Sequence, residues 1–442
     1  MKKLLLPFSL LFVGFASTAQ TWNAQATGFT TASRGISEIK IVDANNVWAI
    51  AFDGTPADEP IQEFTRTTDG GNIWLPGTFS VGDPTLSITN ISPVSGTTAW
   101  IGTYDATLGF GGVFKTTDGG LNWEQQNTAA YTTAGESWFN FVHFFNANVG
   151  ITQGDPEGAG GEFEIYRTID GGDNWTRVPG ASLPNPLTGE YGYNGGYDVA
   201  GGTLWFTTNK GRLYRTTDMG VTWTVSQAPL ADFGSAAVSG NAIFSDANNG
   251  FLLKTQGTTY TAYTTSNGGT TWTAGTPYTG AYRLLCYIPG TTTLVATGAG
   301  PTVAEMGSAF SSDNGTTWTS IDTGAQRLSP AFLNGTTGWC GGFNEDEFAG
   351  GVFKLNGTLG NSDFNTTKFK VYPNPATSVV NLQTEGLDSY TLKVTDLSGK
   401  VMTTREFSGI ENALDISSYA TGVYFFEINS GSQSQTIKIM KN

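Results

Sequence analysis

An eight-residue pattern, Ser/Thr-x-Asp-x-Gly-x-x-Trp, occurs six times in this chain and constrains its fold more than any other feature. In each copy we expect the Asp to accept hydrogen bonds from N–H groups ahead of it, and Gly to supply a positive φ. The Trp begins the next strand and covers the turn. Each copy therefore predicts a tight hairpin, in which the acid or amide is structural. These residues are Asp69, Asp118, Asp170, Asp218, Asn267 (the one Asn in place of Asp) and Asp313.

The spacing of the pattern indicates the architecture. From one pattern Trp to the next, the steps are 49, 52, 48, 49 and 46 residues, a period that fits a four-stranded propeller blade. Between the patterns lies a second repeat, which is an apolar strand, a polar turn and another apolar strand. It occurs seven times, from Ile39–Ala51 to Pro330–Gly342. We therefore predict an all-β protein with a seven-bladed β-propeller at residues 20–355.

The two ends of this region predict how the ring closes. Gly351–Lys354 repeats the sequence of Gly112–Lys115, but no copy of the eight-residue pattern follows it. The missing strand stands at the other end, because Thr21-Trp22-Asn23 is similar to Thr222-Trp223-Thr224. The seventh blade should take three strands from about 328–355 and its outer strand from 21–29, which leaves no open sheet edge.

The eight-residue pattern resembles the Asp-box, or BNR, repeat of sialidase-like propellers, and the resemblance covers about residues 21–355. Phe144–Trp175 is most similar to the photosystem II assembly-factor-like propellers and their secreted bacterial relatives. Those relatives are mainly scaffold or binding proteins, and xyloglucanases share the seven blades. In this family the boxes lie between the two outer strands of a blade, so the resemblance implies that they lie away from the ligand face.

The N-terminal segment and the charge limit the location and the partners. Met1–Ala19 has two lysines, an apolar run and small residues before Gln20, which is typical of a secretory signal peptide. No later stretch is long enough to span a bilayer. A net charge of −15 argues against nucleic acid or an anionic membrane as a partner. We expect a soluble, exported protein.

A change of composition marks a second domain. Residues 356–367 form a polar linker, and in 368–442 the alternation of apolar residues predicts a small C-terminal β-sandwich. This domain resembles the type A sorting domain of type IX secretion in Bacteroidota, which implies the secretion machinery as a partner, and then release or surface attachment. The alternative is an ordinary adhesive sandwich. The matching segments are Tyr372–Pro375, Asp396–Val401, Gly422–Tyr424 and Lys438–Lys441.

Cysteine and histidine give little support to metal or nucleophile chemistry. Cys286 and Cys340 fall on strands of blades 6 and 7, where they could be two buried thiols or a disulfide. The single histidine, His143, lies on an inner strand and suits the core or the channel. No Cys/His cluster predicts a metal site, and no motif predicts a cofactor.

The ligand face should be built by the segments that enter each inner strand and by the loops between the second and third strands. Arg34, Arg283 and Arg327 enter blades 1, 6 and 7, which are consecutive around the ring. Aromatic and acidic side chains in such segments could hold a glycan or an anionic peptide end. The alternatives are a solvated rim, or arginines that pair with the acidic segment Glu345–Glu347. The remaining candidates are Trp138, Tyr191, Tyr193, Asp155 and Glu157.

The resemblance to sialidase-like propellers does not imply sialidase activity. Sialidases use three arginines in fixed positions, whereas the three here differ in their offsets from the following turn, and the Arg-Ile-Pro signature is absent. Other glycosidases need only two suitably separated carboxylates. Asp155 and Glu157 with Asp53 or Glu345 are the candidates, although no spacing among them is diagnostic. Acidic side chains could also bind Ca²⁺, but no EF-hand loop supports this.

These observations predict a secreted or cell-surface propeller that acts as a non-enzymatic binding or scaffold protein for glycans or proteins. A glycoside hydrolase, or another polysaccharide-acting enzyme with its site on the channel face, is the alternative. A purely structural or adhesive surface protein is the third possibility.

Overall fold

The computed structural model describes most of the chain. The predicted signal peptide, 1–19, lies outside the described residues, as do 360–367 of the predicted linker. Apart from two short 3-10 helices, Gly180–Ser182 and Val303–Glu305, the regular structure of the described part is entirely β. The described residues are 20–57, 59–133, 135–158, 160–359, 369–384, 389–397, 400–409, 411–430 and 433–442.

The first strand, β1 (Thr21–Ala26), is followed by three groups of four antiparallel strands, which are blades 1 to 3, and the first strand of blade 1 also pairs with a strand of blade 7 at Gly35 and Phe343. In blades 1 to 6 the strands are paired in sequence order from the centre of the ring outwards. The strands are β2 (Arg34–Ile41), β3 (Val47–Asp53), β4 (Glu63–Thr67), β5 (Leu75–Thr78), β6 (Ser87–Pro93), β7 (Ala99–Tyr104), β8 (Gly111–Thr116), β9 (Glu124–Tyr131), β10 (Phe139–Phe144), β11 (Gly150–Pro156), β12 (Phe163–Thr168) and β13 (Thr176–Arg177).

Blades 4 to 6 repeat the arrangement. Their strands are β14 (Gly192–Ala200), β15 (Thr203–Thr208), β16 (Arg212–Thr216), β17 (Thr224–Gln227), β18 (Ser239–Phe244), β19 (Gly250–Gln256), β20 (Thr259–Thr265), β21 (Thr276–Pro277), β22 (Leu284–Tyr287), β23 (Leu294–Ala299), β24 (Met306–Ser311) and β25 (Thr319–Thr323).

Blade 7 joins the two ends of the propeller. It contains β26 (Pro330–Asn334), β27 (Thr337–Asp346) and β28 (Ala349–Asn356), and β1 pairs antiparallel with β28 as its outer strand. Trp22 of β1 donates a hydrogen bond from Nε1 to Ser308 Oγ at 2.8 Å and packs on Phe332. The predicted closure by the N-terminal strand is therefore confirmed, and the described residues form seven blades.

The innermost strands are joined to one another by side chains. Each of β2, β6, β10, β14, β18, β22 and β26 contacts the next around the ring, and β26 contacts β2. An innermost strand has one edge without a strand partner, so its buried backbone groups need other partners. Glu38 Oε2 accepts from Ile91 N at 2.9 Å, and Asp198 Oδ2 accepts from Phe244 N at 2.6 Å. These bonds link consecutive blades around a central channel.

The eight-residue patterns form the turns between the third and fourth strands. In blade 2, Asp118 Oδ1 accepts from Thr116 Oγ1 at 2.9 Å and from Asn122 N at 3.0 Å. Gly119 and Gly120 have φ of 80° and 86°, which a side chain would disfavour. The hydrogen bond from the Asn122 side chain is the main reason that the pKa of Asp118 falls to about 2. The acid is used within its own turn.

The C-terminal residues form a two-sheet sandwich of seven strands, as predicted. One sheet contains β29, β30 and β33, and the other contains β31, β32, β34 and β35. Val380 and Leu382 of the first sheet share a buried core with Leu392 and Phe426 of the second. The strands are β29 (Phe369–Tyr372), β30 (Val379–Thr384), β31 (Ser389–Asp396), β32 (Val401–Ser408), β33 (Glu411–Asp415), β34 (Gly422–Ser430) and β35 (Gln433–Lys441).

Three further predictions meet the structure here. Cys286 on β22 and Cys340 on β27 are free thiols, and burial raises the pKa of both. Leu359 is buried against the last blade, so the chain stays packed a few residues beyond the predicted boundary at 355. Within the described residues, no helix has the length and apolar character needed to cross a membrane.

Candidate functional site

A groove of about 1220 Å³ opens between blades 3 and 4. It lies on the upper face, defined as the face where the chain enters each innermost strand. Four of the predicted candidates line it: Trp138, Asp155, Tyr191 and Tyr193. Around them the lining is rich in glycine and proline and includes Glu136, Asn140 and Glu190. We call this feature the groove.

One wall of the groove is Trp138, which immediately precedes β10 and is partly exposed. Its ring lies against Gly109, where an added Cβ would come within 2.4 Å of the indole. Trp138 Nε1 donates to Gly135 O at 3.3 Å. The loop glycine therefore makes room for the ring, and the indole is held at the edge of the groove.

The opposite wall is a pair of tyrosines at the start of β14. Tyr191 is 44% exposed, and its ring meets that of Tyr193 edge-on at 5.7 Å between centroids. Tyr193 donates from its hydroxyl to Asp232 Oδ1, and its ring lies over Gly234. Tyr191 N donates to Asn209 Oδ1 at 2.9 Å, and Asn209 N donates back to Tyr191 O at 3.1 Å. The Tyr193 ring is thus held by its hydroxyl, and the backbone that carries the Tyr191 ring is held by Asn209.

A buried ion pair supports the segment that carries the tyrosines. Glu190 has no exposed side-chain surface, and its Oε2 lies 3.2 Å from Arg212 Nη1. Thr208 Oγ1 donates to Glu190 Oε1 at 2.7 Å, and Leu187 N donates to Oε2 at 2.7 Å. The sequence reasoning missed this pair. Two features of the sequence could have indicated it. Glu190 directly precedes the Tyr191–Tyr193 segment, and Arg212 directly follows Gly211 in a turn.

Asp155, at the end of β11, forms the floor. Its Oδ1 accepts from Asn140 Nδ2 at 2.7 Å and from Gly192 N at 2.8 Å. Burial raises the pKa of Asp155 to about 6, and the two hydrogen bonds oppose that shift. A Cβ on Gly192 would come within 2.7 Å of Asn140 Nδ2, so glycine is needed for this arrangement. Asp155 of blade 3 is thereby tied to blade 4.

Glu157 does not share the groove with Asp155. It pairs with Arg177 Nη1 at 2.6 Å and accepts longer hydrogen bonds from Thr133 and Ser137. The hydrogen bond from Arg177 lowers the pKa of Glu157 below its usual value. The structure does not bring the two acids together as a catalytic pair, because Glu157 is engaged in holding the wall of blade 3.

The three predicted arginines have three separate sets of partners, and none of them lines the groove. Arg34 pairs with Glu63 at 2.8 Å and with Asp53 at 3.4 Å, so Asp53 is also engaged. These partners lie within blade 1, not in the acidic segment Glu345–Glu347 considered from the sequence.

The other two arginines lie against aromatic rings. Arg283 lies over Tyr260, with 3.8 Å between the guanidinium carbon and the ring centroid, and donates to Gly280 O at 2.9 Å. Arg327 pairs with Asp322 at 2.8 Å and lies over Phe353 at 4.0 Å. Both are therefore engaged in local packing.

A second, smaller cavity of about 340 Å³ lies in the central channel. There Lys40 pairs with Glu38 at 3.0 Å and lies over the ring of Tyr197. Burial and the charge of Lys40 lower the pKa of His143 to about 3. His143 is therefore neutral at ordinary pH, which agrees with its interpretation as a channel histidine. Within the described part of the chain, no His, Cys, Asp and Glu side chains are grouped to hold a metal ion.

Comparisons with known proteins agree with both parts of the fold. Residues 370–442 match the secretion system C-terminal sorting domain, and residues 108–230 match the photosynthesis system II assembly factor YCF48. No curated protein gives a significant match. The chain thus combines a β-propeller with a type IX secretion sorting domain, which marks it for export to the cell surface or beyond.

Two solved structures define the likeness of the propeller. YCF48 bound to D1 peptide is 16% identical, with a TM-score of 0.51 over 78% of this chain and 98% of that one. YCF48 from Cyanidioschyzon merolae is 18% identical, with a TM-score of 0.50 over 76% of this chain and 99% of that one. At this identity the likeness establishes the fold alone: the propeller resembles YCF48.

Proposed function

We propose that this exported propeller is a non-enzymatic binding protein and that the groove between blades 3 and 4 holds a glycan. The observation that carries the proposal is that aromatic side chains from two neighbouring blades and a carboxylate line the same groove. Trp138 precedes β10 of blade 3, Tyr191 and Tyr193 lie at the start of β14 of blade 4, and Asp155 lies at the end of β11. Residues held in place beforehand lose little conformational freedom when a ligand binds.

The chemistry of the lining favours a saccharide. A sugar ring has a C–H face that packs on an aromatic ring, and hydroxyl groups that donate hydrogen bonds. The carboxylates of Asp155 and Glu136 and the Asn140 amide supply polar groups close to the aromatic walls. A peptide is the competing ligand class, since the YCF48 structure that resembles this propeller was solved with a D1 peptide.

Two of the acids considered for catalysis already form ion pairs, which supports binding over hydrolysis. A glycosidase needs two carboxylates flanking the scissile bond. Of the predicted acids, Glu157 pairs with Arg177 and Asp53 pairs with Arg34. One observation supports a hydrolase as the second candidate function: the pKa of Asp155, about 6, suits a general acid, and Glu136 lies in the same groove.

A binding screen with a matched control tests the proposal. Full-length mature protein would be applied to a glycan array and to a peptide library, together with Trp138→Ala and Phe348→Ala. Phe348 is 80% exposed on the β27–β28 hairpin and lies outside the groove. We expect glycan binding that Trp138→Ala weakens by about tenfold or more and Phe348→Ala leaves unchanged.

Two results would contradict the proposal. Binding to peptides but to no glycan would assign the groove to the competing ligand class. Release of reducing sugar from a polysaccharide, abolished in Asp155→Asn, would make the protein a hydrolase.

A further inference from the structure

We propose that Asp155 selects neutral saccharides over acidic ones by accepting hydroxyl hydrogen bonds through its Oδ2 oxygen. The inference rests on the proposed function and adds to it the chemical class of the ligand. It does not involve the three arginines considered from the sequence, because none of them lines the groove.

The orientation of the carboxylate is the first step. Both hydrogen bonds that described residues donate to Asp155 end on Oδ1. Asn140 is 2% exposed, and Gly192 is buried, so these two donors are fixed in the wall of the groove. Asp155 N donates to Trp138 O at 2.9 Å, which ties the acid to the aromatic wall. Oδ2 is therefore the oxygen left for a ligand in the groove that Trp138 also lines.

The charges around the groove are the second step. No lysine or arginine is among the described residues that line it, whereas Glu136, Asp155 and Glu190 are, and of these three Glu190 is paired with Arg212. Two cations of neighbouring elements are already paired, Arg212 with Glu190 and Arg177 with Glu157. Lys210 follows Asn209, which bonds to Tyr191, and is not among the lining residues. On the tyrosine side, the charged group is Asp232, which accepts from Tyr193.

A sugar carboxylate in the groove would therefore meet the charges of Glu136 and Asp155, with no cation among the described lining residues. Binding such a ligand costs like-charge repulsion and leaves its charge without a partner. A neutral sugar meets only acceptors for its hydroxyl groups, so the groove discriminates by repulsion as well as by attraction.

Ionisation of Asp155 gives the selection a pH signature. With its pKa raised to about 6, the group is a carboxylate above that pH and a neutral acid below it. Neutral-sugar binding should therefore weaken as the pH falls through about 6, because Oδ2 loses acceptor capacity. The discrimination against acidic sugars should shrink over the same range, because the repelling charge is lost.

The experiment compares two matched probes on the full-length mature protein. One set is neutral gluco-, manno- and xylo-hexasaccharides. The other is the gluco-hexasaccharide oxidised at C6 to the uronate. Affinities would be measured by calorimetry for wild type, Asp155→Asn and Glu345→Gln, at pH 7.5 and at pH 5. Glu345→Gln removes an exposed charge on the β27–β28 hairpin and controls for general electrostatics.

We expect wild type to bind a neutral hexasaccharide at least about tenfold more tightly than the uronate at pH 7.5. The preference should shrink by about threefold or more in Asp155→Asn at both pH values, and in wild type at pH 5, while Glu136 retains part of it. Glu345→Gln should keep the wild-type preference. Because Asn keeps an oxygen that can accept from Asn140 and Gly192, we expect this variant to fold, and the pH series on wild type tests the inference independently of it.

The outcomes separate this inference from the proposed function. A neutral preference that persists unchanged in Asp155→Asn and at pH 5 would overturn the role of Asp155 and leave glycan binding standing. A preference of wild type for the uronate would overturn it as well. Failure of wild type to bind any saccharide on the panel and on the array would instead remove the proposed function.

Discussion

At the scale of single residues, two glycines determine where the aromatic walls of the groove lie. Gly109 faces the ring of Trp138, and Gly234 faces the ring of Tyr193. Gly109 also has a φ of 75°, so a substitution there would strain the backbone as well as the contact. Gly234 has no such constraint, which makes it the cleaner position for a test.

Gly234→Ala should displace Tyr193, since the added Cβ would lie 2.5 Å from its ring. Overpacking of this kind costs about 1–3 kcal/mol, and the shifted wall should weaken ligand binding about fivefold or more. Gly202→Ala is the control, because its nearest neighbour lies 3.5 Å away. Chemical denaturation and binding titrations measure the two effects. Equal affinity in both variants would show that the position of Tyr193 does not matter.

Asp118→Ala tests whether the turn acids are structural. It removes acceptors for Thr116 and Asn122 in the turn between β8 and β9, away from the groove. We expect a lower melting temperature and an affinity of the groove within about twofold of wild type. Loss of binding without a change in melting would place the acid in a ligand site.

The pH dependence of this turn has a definite sign. The pKa of Asp118 is depressed to about 2 in the folded protein, against an ordinary value near 3.8. Its stabilising contribution is therefore present above pH 3.8 and is lost as the pH falls through about 2. In Asp118→Ala, the melting temperature should lose that part of its acid dependence.

The residues that line the groove were easier to identify from the sequence than the side chains with which they pair. Trp138, Tyr191 and Tyr193 were identifiable because segments that enter inner strands lie on one face of a propeller, and Asp155 because the loops between second and third strands lie on the same face. The different role of Glu157 could not be predicted from its position two residues after Asp155. It follows the β-bulge at the end of β11, and its side chain pairs with Arg177. Ion-pair partners depend on how irregular loops fold, and no repeat period specifies that.

At the scale of elements, blades are joined by a contact that the repeats encode. A cation at the end of the third strand lies over a Trp of the second strand and donates to the turn of the next blade. Arg66 lies over Trp48 and donates to Gly119 O at 2.8 Å. Lys354 lies over Trp339 and donates to Gly70 O at 2.7 Å. In blades 1 to 4 a cation immediately precedes the Thr of the pattern, and Lys354 holds the corresponding position in blade 7, which has no pattern, so the sequence contains this signal. Blades 5 and 6 carry Thr264 and Phe310 there instead.

The buried pair of Glu190 and Arg212 belongs to the element scale as well, since it fixes the segment before β14. Glu190→Gln or Arg212→Met alone should destabilise the protein by about 3–5 kcal/mol, because each leaves its partner buried and poorly compensated. The double variant should recover part of that loss. Denaturant titrations of the four proteins give the coupling. Purely additive losses would mean that the two side chains act independently.

At the scale of the whole molecule, the seven blades were predictable because two independent repeats share one period. The closure by β1 could be predicted because the seventh repeat lacks its outer strand and a matching strand stands at residues 21–29. The groove itself was not predictable, because it depends on the long segment between β13 and β14, which lies outside the repeats.

Trp22→Ala tests the closure. Trp22 fills the space between Phe332 and Ser308, and replacing a buried Trp by Ala costs about 3–5 kcal/mol, somewhat less for a partly buried one. We expect a lower melting temperature with groove affinity unchanged in the folded protein, measured by calorimetry. A variant that melts like wild type would show that β1 is dispensable for the ring.

The pairing of Thr21 with Asn356 places both exits of the propeller chain on blade 7. Counting around the ring, three blades separate that point from the boundary of blades 3 and 4 in either direction. The chain therefore leaves the propeller towards the C-terminal domain from blade 7, while the groove opens on the opposite side of the ring. A ligand in the groove is thus bound far from the last strand of the propeller, and we expect a change in the length of segment 356–367 to leave the affinity of the groove unchanged.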